Sequence, residues 1–222
     1  MKVIILNGRL SFNDLHTPKS IKGSALAFSA TVICDKETKI KYTIGEGDKA
    51  ETKIVGYEVF QKICDKVTKE KFAGKIPTKL KNWCFNKADG STTRDQYINP
   101  KTEDYWDGFD SETWYISAKK PLDRVEGGVL TIFDENNKQV PPNSGKIYSG
   151  CRVNMIVWVY AVDKEGASLQ AGLEAVQYAG KGEPLGRVSI DASSDFDAVE
   201  IPAEDMDESD APSGESETDD ML

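Results

Sequence analysis

Along Cys151–Val162, which reads CRVNMIVWVYAV, the odd positions Cys151, Val153, Met155, Val157, Val159 and Ala161 are all apolar. The even positions are Arg152, Asn154, Ile156, Trp158 and Tyr160, closing on Val162. A period of two puts alternate residues on opposite faces of a strand, so one face is a buried wall. The other face displays a cation, an amide and two large rings, where a half-buried strand ordinarily shows water its charged and polar residues. Rings in a row can stack on unpaired nucleobases, worth about 1–3 kcal/mol per base, while Arg or Lys holds the phosphates. Successive residues on one face lie about 6.6–7 Å apart, comparable to an extended nucleotide step. The competing reading is that Trp158 and Tyr160 pack under another element, as large aromatics commonly do.

The same residue types recur elsewhere. In TWYISAKK, Trp114, Ile116 and Ala118 share one face, Tyr115 and Ser117 share the other, and Lys119 and Lys120 close the strand. Trp83 sits in KLKNWCF with Lys79 and Lys81, and Arg9 lies on the polar face of the first strand. Each has a bland alternative: Trp83 and Tyr115 as packing residues, Lys119 and Lys120 as a solvated strand end. The combination of cations with rings on several strands favours a stacking groove. The candidate nucleic-acid contacts are therefore Arg9, Trp83, Tyr115, Lys119, Lys120, Arg152, Asn154, Trp158 and Tyr160.

Charge is unevenly spread. The 222 residues carry a net charge of −9, yet thirteen of the 37 acidic residues, and no basic one, fall between Asp191 and Leu222. Residues 1–190 keep 24 acidic against 28 basic side chains, or +4. The body is mildly cationic and the end strongly anionic. The closing run DAVEIPAEDMDESDAPSGESETDDML has almost nothing apolar to bury, so disorder is expected over 196–222. A tethered polyanion can occupy a groove meant for nucleic acid, recruit partner proteins, or act only as a solubility tail.

The elements that must position these residues are mostly strands. We expect a first strand over Lys2–Phe12, with Leu10 and Phe12 on one side, and a second over Ala25–Asp35. A helix is expected over about Glu51–Phe72, where Tyr57, Phe60, Cys64 and Val67 recur at helical spacing, ended by Gly74 and Pro77. From Lys36 to Lys87 the chain is locally +6, and from Ala88 to Glu135 locally −6. Within the acidic stretch a long loop carries Tyr97, Tyr105, Trp106 and Phe109. Loops of this length are more often functional than incidental. This one can clamp a ligand, pack on the body or mediate self-association. Further strands are expected at Thr113–Ala118, Val129–Phe133, Lys146–Val162 and Ala171–Tyr178. Short strands with one helix argue for a small β-barrel or an α+β arrangement.

Several functions lack their residues. The single histidine, His16, is placed in a loop and cannot serve a His-dependent triad or a multi-His metal site. No phosphate-cradling glycine pattern or HExxH is present. The carboxylates of EDYWDGFD default to solvated charge, although nucleases do hold divalent ions with such groups. No enzyme, metal or cofactor is therefore expected. Cys34, Cys64, Cys84 and Cys151 form no CxxC pair and read as reduced, buried small hydrophobes of a cytosolic protein. No apolar run is long enough for a signal segment or a membrane span. An assembly protein with an acidic docking tail, or an RNA-binding module, remains a rival reading.

With those residues in view, the chain resembles a family of phage-encoded single-stranded DNA-binding proteins. The similar elements are RLSFNDLHTP (Arg9–Pro18), DGFDSETWYISAKKP (Asp107–Pro121), YSGCRVNMIVWVYA (Tyr148–Ala161), GLEAVQYAGKGEPLG (Gly172–Gly186) and an Asp-Ala-x-x-Asp-Phe segment at Asp191–Phe196. The resemblance implies a mainly β fold: an oligonucleotide/oligosaccharide-binding (OB) antiparallel barrel with one inserted helix, over 1–195, and a disordered acidic tail, 196–222. It implies sequence-tolerant binding of single-stranded DNA in replication, recombination and repair, in a host cell's cytoplasm. The tail would meet replication or recombination proteins through Asp219, Asp220, Met221 and Leu222. The chain departs from the family in its long Lys-rich segment before Trp83. It also departs in ending without the terminal aromatic of the better-known bacterial single-strand-binding tails.

Overall fold

A computed structural model describes residues 1–186 except 21, 22, 46, 93–95, 142, 143 and 165. The expected tail and the boundary at 195 lie outside the described residues. In chain order the elements are β1 (Lys2–Lys19), β2 (Ala27–Cys34), β3 (Lys39–Ile44), β4 (Glu51–Gly56), α1 (Phe60–Lys71), β5 (Lys81–Asn82), β6 (Phe85–Lys87), β7 (Trp114–Pro121), β8 (Ile132–Phe133), β9 (Arg152–Val162) and β10 (Ser168–Gly180).

Five of these strands close on themselves. β1 pairs with β2, β2 with β7, β7 with β10, β10 with β9, and β9 returns to β1. All pairings are antiparallel except β7 with β10, which is parallel and rests on one registered pair, Gly172 with Lys119. Closure of five strands in this order is the expected OB-type barrel, mainly β with one helix. A closed barrel hides its strand edges and leaves each strand one inner and one outer face.

The inner faces are filled as the alternation requires. Val153, Met155, Val157 and Val159 of β9 are fully buried and meet Val3, Ile5 and Leu10 of β1, Val32 of β2, and Leu169 and Leu173 of β10 in one core. α1 turns Phe60, Ile63, Cys64 and Val67 inward against β9 and β6, and Phe60 meets Phe85 edge-on at 5.2 Å. The four cysteines are free and buried, as expected. Burial pushes the Cys151 thiol up from its ordinary range, which leaves it an inert packing group.

Three local expectations are corrected. The helix is confined to Phe60–Lys71, because Glu51–Gly56, with β-branched Thr52, Ile54 and Val55, pairs instead with the unanticipated β3. Leu10 and Phe12 do not share a side: the register slips between Leu10 and Asn13, which leaves Leu10 buried and Phe12 exposed. His16 lies within β1, not in a loop.

Candidate nucleic-acid interface

The outer wall can be read across the strands from their register. Trp158 of β9 pairs with Lys2 of β1 on one side and Gly172 of β10 on the other, and Gly172 in turn pairs with Lys119 of β7. One row along, Tyr160 pairs with Gln170. Trp83 follows β5 and is fixed beside that row by its backbone N–H, which donates to the Leu169 carbonyl at 3.0 Å. Alternation along β10 turns Leu169, Ala171 and Leu173 inward and Gln170 and Gly172 outward.

The rings stand in solvent. Trp158 is 48% exposed, Trp83 45% and Tyr160 38%. They line two adjoining clefts that share Lys119, Pro121 and Tyr160. One cleft, of about 460 Å³, adds Trp83, Ser117 and Gln170. The other, of about 290 Å³, adds Trp158, Gly172, Lys120 and Arg124. The Tyr160 hydroxyl bonds Gln170 Oε1 at 3.2 Å, and Gln170 Nε2 donates to Ser168 Oγ at 3.3 Å, so the phenol is held from below. Lys2, Lys119 and Arg124 make no ion pair among the described residues. Flat apolar plates beside uncompensated cations suit a ligand that combines planar rings with anions.

The wall gathers Trp83, Lys119, Trp158 and Tyr160 from the sequence-derived set. Lys120 lies at its rim, tied at 3.2 Å to Glu174, the extra residue where the β10 register slips between Leu173 and Ala175. The other members of that set stand apart from this wall. Tyr115 is only 4% exposed, in a second core cluster with Ile33, Ala88 and Phe109, so its ring cannot be offered to a base. Arg152 is six residues from Trp158, about 20 Å along the strand. Its guanidinium donates to Asp35 Oδ2 at 2.7 Å and to the Asn7 carbonyl at 3.2 Å, with Glu37 at 3.2 Å.

Asn154 also works for the fold. Its Oδ1 accepts the backbone N–H of Asn7 at 3.0 Å, and its Nδ2 donates to Gln177 at 2.7 Å. Asn7 needs that support because it sits at φ 56°, where the β1 register slips between Ile5 and Gly8. Arg9 pairs with Arg152 at this far end and donates to the Glu183 carbonyl at 3.0 Å. Burial alone would raise the Asp35 carboxyl. Hydrogen bonds from Arg152, the Glu37 amide and Thr38, together with the Arg152 charge, outweigh it and hold the group below the usual range.

The aromatic loop packs on the barrel. Tyr97 stacks on Phe109 at 4.4 Å and meets Tyr115 at 4.4 Å, and Phe12 caps them at 5.6 Å from Tyr97 and 5.8 Å from Trp106. Sequence reasoning missed Lys2, Arg124, Gln170 and Gly172. Lys2 carried a usable signal, being on the polar register of an alternating strand. The place of Arg124 depends on the turn after β7, which has no periodicity to read. Among the described residues no cluster of His, Cys, Asp or Glu could hold a metal ion. Nor is any helix long and apolar enough to cross a membrane. Asp219, Asp220, Met221 and Leu222 lie outside the described residues.

Three similarities to known phage proteins bear on the fold and the family. The single-stranded DNA-binding protein of bacteriophage Enc34, solved in complex with single-stranded DNA, superposes with a TM-score of 0.54 at 20% identity, covering 83% of this chain and 89% of that one. A second structure of that phage protein gives 0.52 at 20% identity, over 88% and 90%. At that identity the likeness speaks for the fold. Protein p50 of Acyrthosiphon pisum secondary endosymbiont phage 1 is 26% identical over 210 residues, 92% of this chain and 97% of that protein. The family model described as Enterobacter phage Enc34, ssDNA-binding protein, matches residues 1–210, and the chain therefore belongs to that phage single-stranded DNA-binding family.

Proposed function

We propose that this chain binds single-stranded DNA along the wall built by β9, β10 and β7, without a chemical step. The carrying observation is that Trp158, Tyr160 and Trp83 stand half-exposed beside Lys2, Lys119 and Arg124. Bases stack on the rings, and the cations neutralise phosphates. Every base has a π face, so binding is sequence-tolerant. Salt weakens it because each phosphate contact releases a condensed counterion.

In our reading the body, 1–195, holds the strand, and the tail, 196–222, competes for the same wall at low salt. Through Asp219, Asp220, Met221 and Leu222 the tail would also recruit proteins of phage replication, recombination or repair in the host cytoplasm. The test is a titration with oligo(dT) at two salt concentrations, following tryptophan fluorescence. Quenching that weakens with salt supports stacking and phosphate contact together. An unchanged signal, with no retardation of a labelled oligonucleotide, overturns the reading.

A further inference from the structure

Gly172 lies in the middle of β10, with backbone pairing to Trp158 on one side and to Lys119 on the other. Glycine weakens a strand interior, and where it occurs there it marks a bulge, a bend or a close approach by another group. The register slips of β10 fall between Leu173 and Ala175 and between Tyr178 and Gly180, past this position. The backbone at Gly172 is not left-handed. A methyl group built there would sit 3.5 Å from Tyr160 Cε1, 3.8 Å from the Trp158 carbonyl oxygen and 3.9 Å from Trp158 Cβ, all ordinary contacts. Gly8 in β1 is different: a Cβ there would fall 2.1 Å from Val32 Cγ1, so the fold itself demands glycine. Nothing in the protein's packing makes the same demand at Gly172.

The demand can come from the cleft. Gly172 faces outward on its floor, with the Trp158 indole to one side and Lys119 to the other. Neighbouring strands lie about 4.8 Å apart, so the Cα atoms of Trp158 and Lys119 are separated by about 10 Å, and the glycine between them adds no side chain of its own, with the edge of the Tyr160 ring beside it. That gap has an apolar plate on one bank and an ammonium on the other. A nucleotide presents the matching pair, a flat base and an anionic phosphate joined by a sugar.

We propose that Gly172 is the floor on which the sugar of one nucleotide lies, its base on Trp158 and its phosphate toward Lys119. Gly172 is thus a position that admits the ligand, and this rests on the reading of the wall as the DNA-binding surface. Any side chain there keeps the barrel intact and lifts the strand off the wall.

The experiment uses the full chain with Gly172→Ala, Gly172→Val and Trp158→Ala, measuring oligo(dT) affinity and Tm for each. The expected result is a graded loss, a few-fold for Gly172→Ala and at least about tenfold for Gly172→Val. Tm should equal or exceed that of the unsubstituted chain, since Ala and Val both suit a strand better than Gly. If Gly172→Val binds as tightly as the unsubstituted chain while Trp158→Ala does not, the floor is refuted and the wall stands. If both bind normally, the wall falls and the floor with it. A lower Tm for Gly172→Ala would assign the glycine to folding and also overturn the proposal.

Discussion

Replacing Lys119 by alanine should alter how DNA binding responds to salt, and the size of the change follows from which cations are free. Lys120 is held by Glu174 at 3.2 Å, and Arg152 by Asp35 at 2.7 Å and Glu37 at 3.2 Å. Lys2, Lys119 and Arg124 are without ion pairs among the described residues and face the clefts or stand beside Trp158. Each phosphate neutralised on a single strand contributes about −0.7 to the slope of log K against log salt, so three free cations give about −2. Between about 50 and 200 mM salt, three contacts weaken binding about 18-fold and two weaken it about 7-fold.

Lys119→Ala should therefore reduce the slope to about −1.4, with Tm almost unmoved because the side chain is exposed. Arg152→Ala is the matched control. It removes the same charge from the same barrel but should leave the slope alone and lower Tm, since it strands the Asp35 carboxylate. The assay is an oligo(dT) titration of each full chain at several salt concentrations, read by tryptophan fluorescence. A parallel series of chains ending at Pro202 removes competition by the tail, which itself depends on Lys119. An unchanged slope in Lys119→Ala, or an equal loss in Arg152→Ala, refutes the division into free and engaged cations.

Trp158→Ala should weaken oligo(dT) binding by about 1–3 kcal/mol, roughly 5- to 150-fold, with the barrel still folded by circular dichroism; collapse of the fold would place the indole in the core. Phe109→Ala should do the reverse, lowering stability by about 3–5 kcal/mol in urea while a saturated chain still quenches on oligo(dT), because this buried ring of the loop stacks on Tyr97 at 4.4 Å and anchors the loop in the second core cluster. The depressed Asp35 carboxyl favours its ionised form in the folded state, so its contribution is complete above about pH 5 and lost as pH falls through its lower folded value. Asp35→Asn should accordingly have a lower Tm at neutral pH, with the gap closing in acid; a gap independent of pH would show that the charge does not matter. A chain ending at Pro202 should bind DNA more tightly at low salt and equally at high salt, and equal affinity at both would remove competition by the tail.

Much of the wall could be read from β9 alone. Strict alternation separates Val153, Met155, Val157 and Val159 from Trp158 and Tyr160, and burial follows it residue by residue. The same alternation promised Arg152 and Asn154 to the ligand, since a period of two assigns a face and says nothing about partners on other strands. Asp35 and Glu37 arrive from the turn after β2, and Asn7 from a slip in β1, neither of which has a sequence period. Tyr115 was misassigned for a related reason: it does face outward from β7, but the aromatic loop folds over it. Local apolar spacing also extended the helix back to Glu51, where pairing with β3 prevails over helical propensity. A barrel was one of two readings of the short strands and the one the resemblance implied, but which strands close it was not legible, because the parallel meeting of β7 and β10 joins segments about 50 residues apart.

That meeting has a mechanical side. With a single registered pair between β7 and β10, it is the thinnest seam in the ring, and the row Trp158, Gly172, Lys119 runs straight across it. A ligand resting on the indole of one bank and the ammonium of the other is a clasp over a joint that the backbone fastens sparingly. Occupancy should slow amide exchange at Lys119 and its neighbours in β7, so that the nucleic acid becomes part of what keeps the cylinder shut.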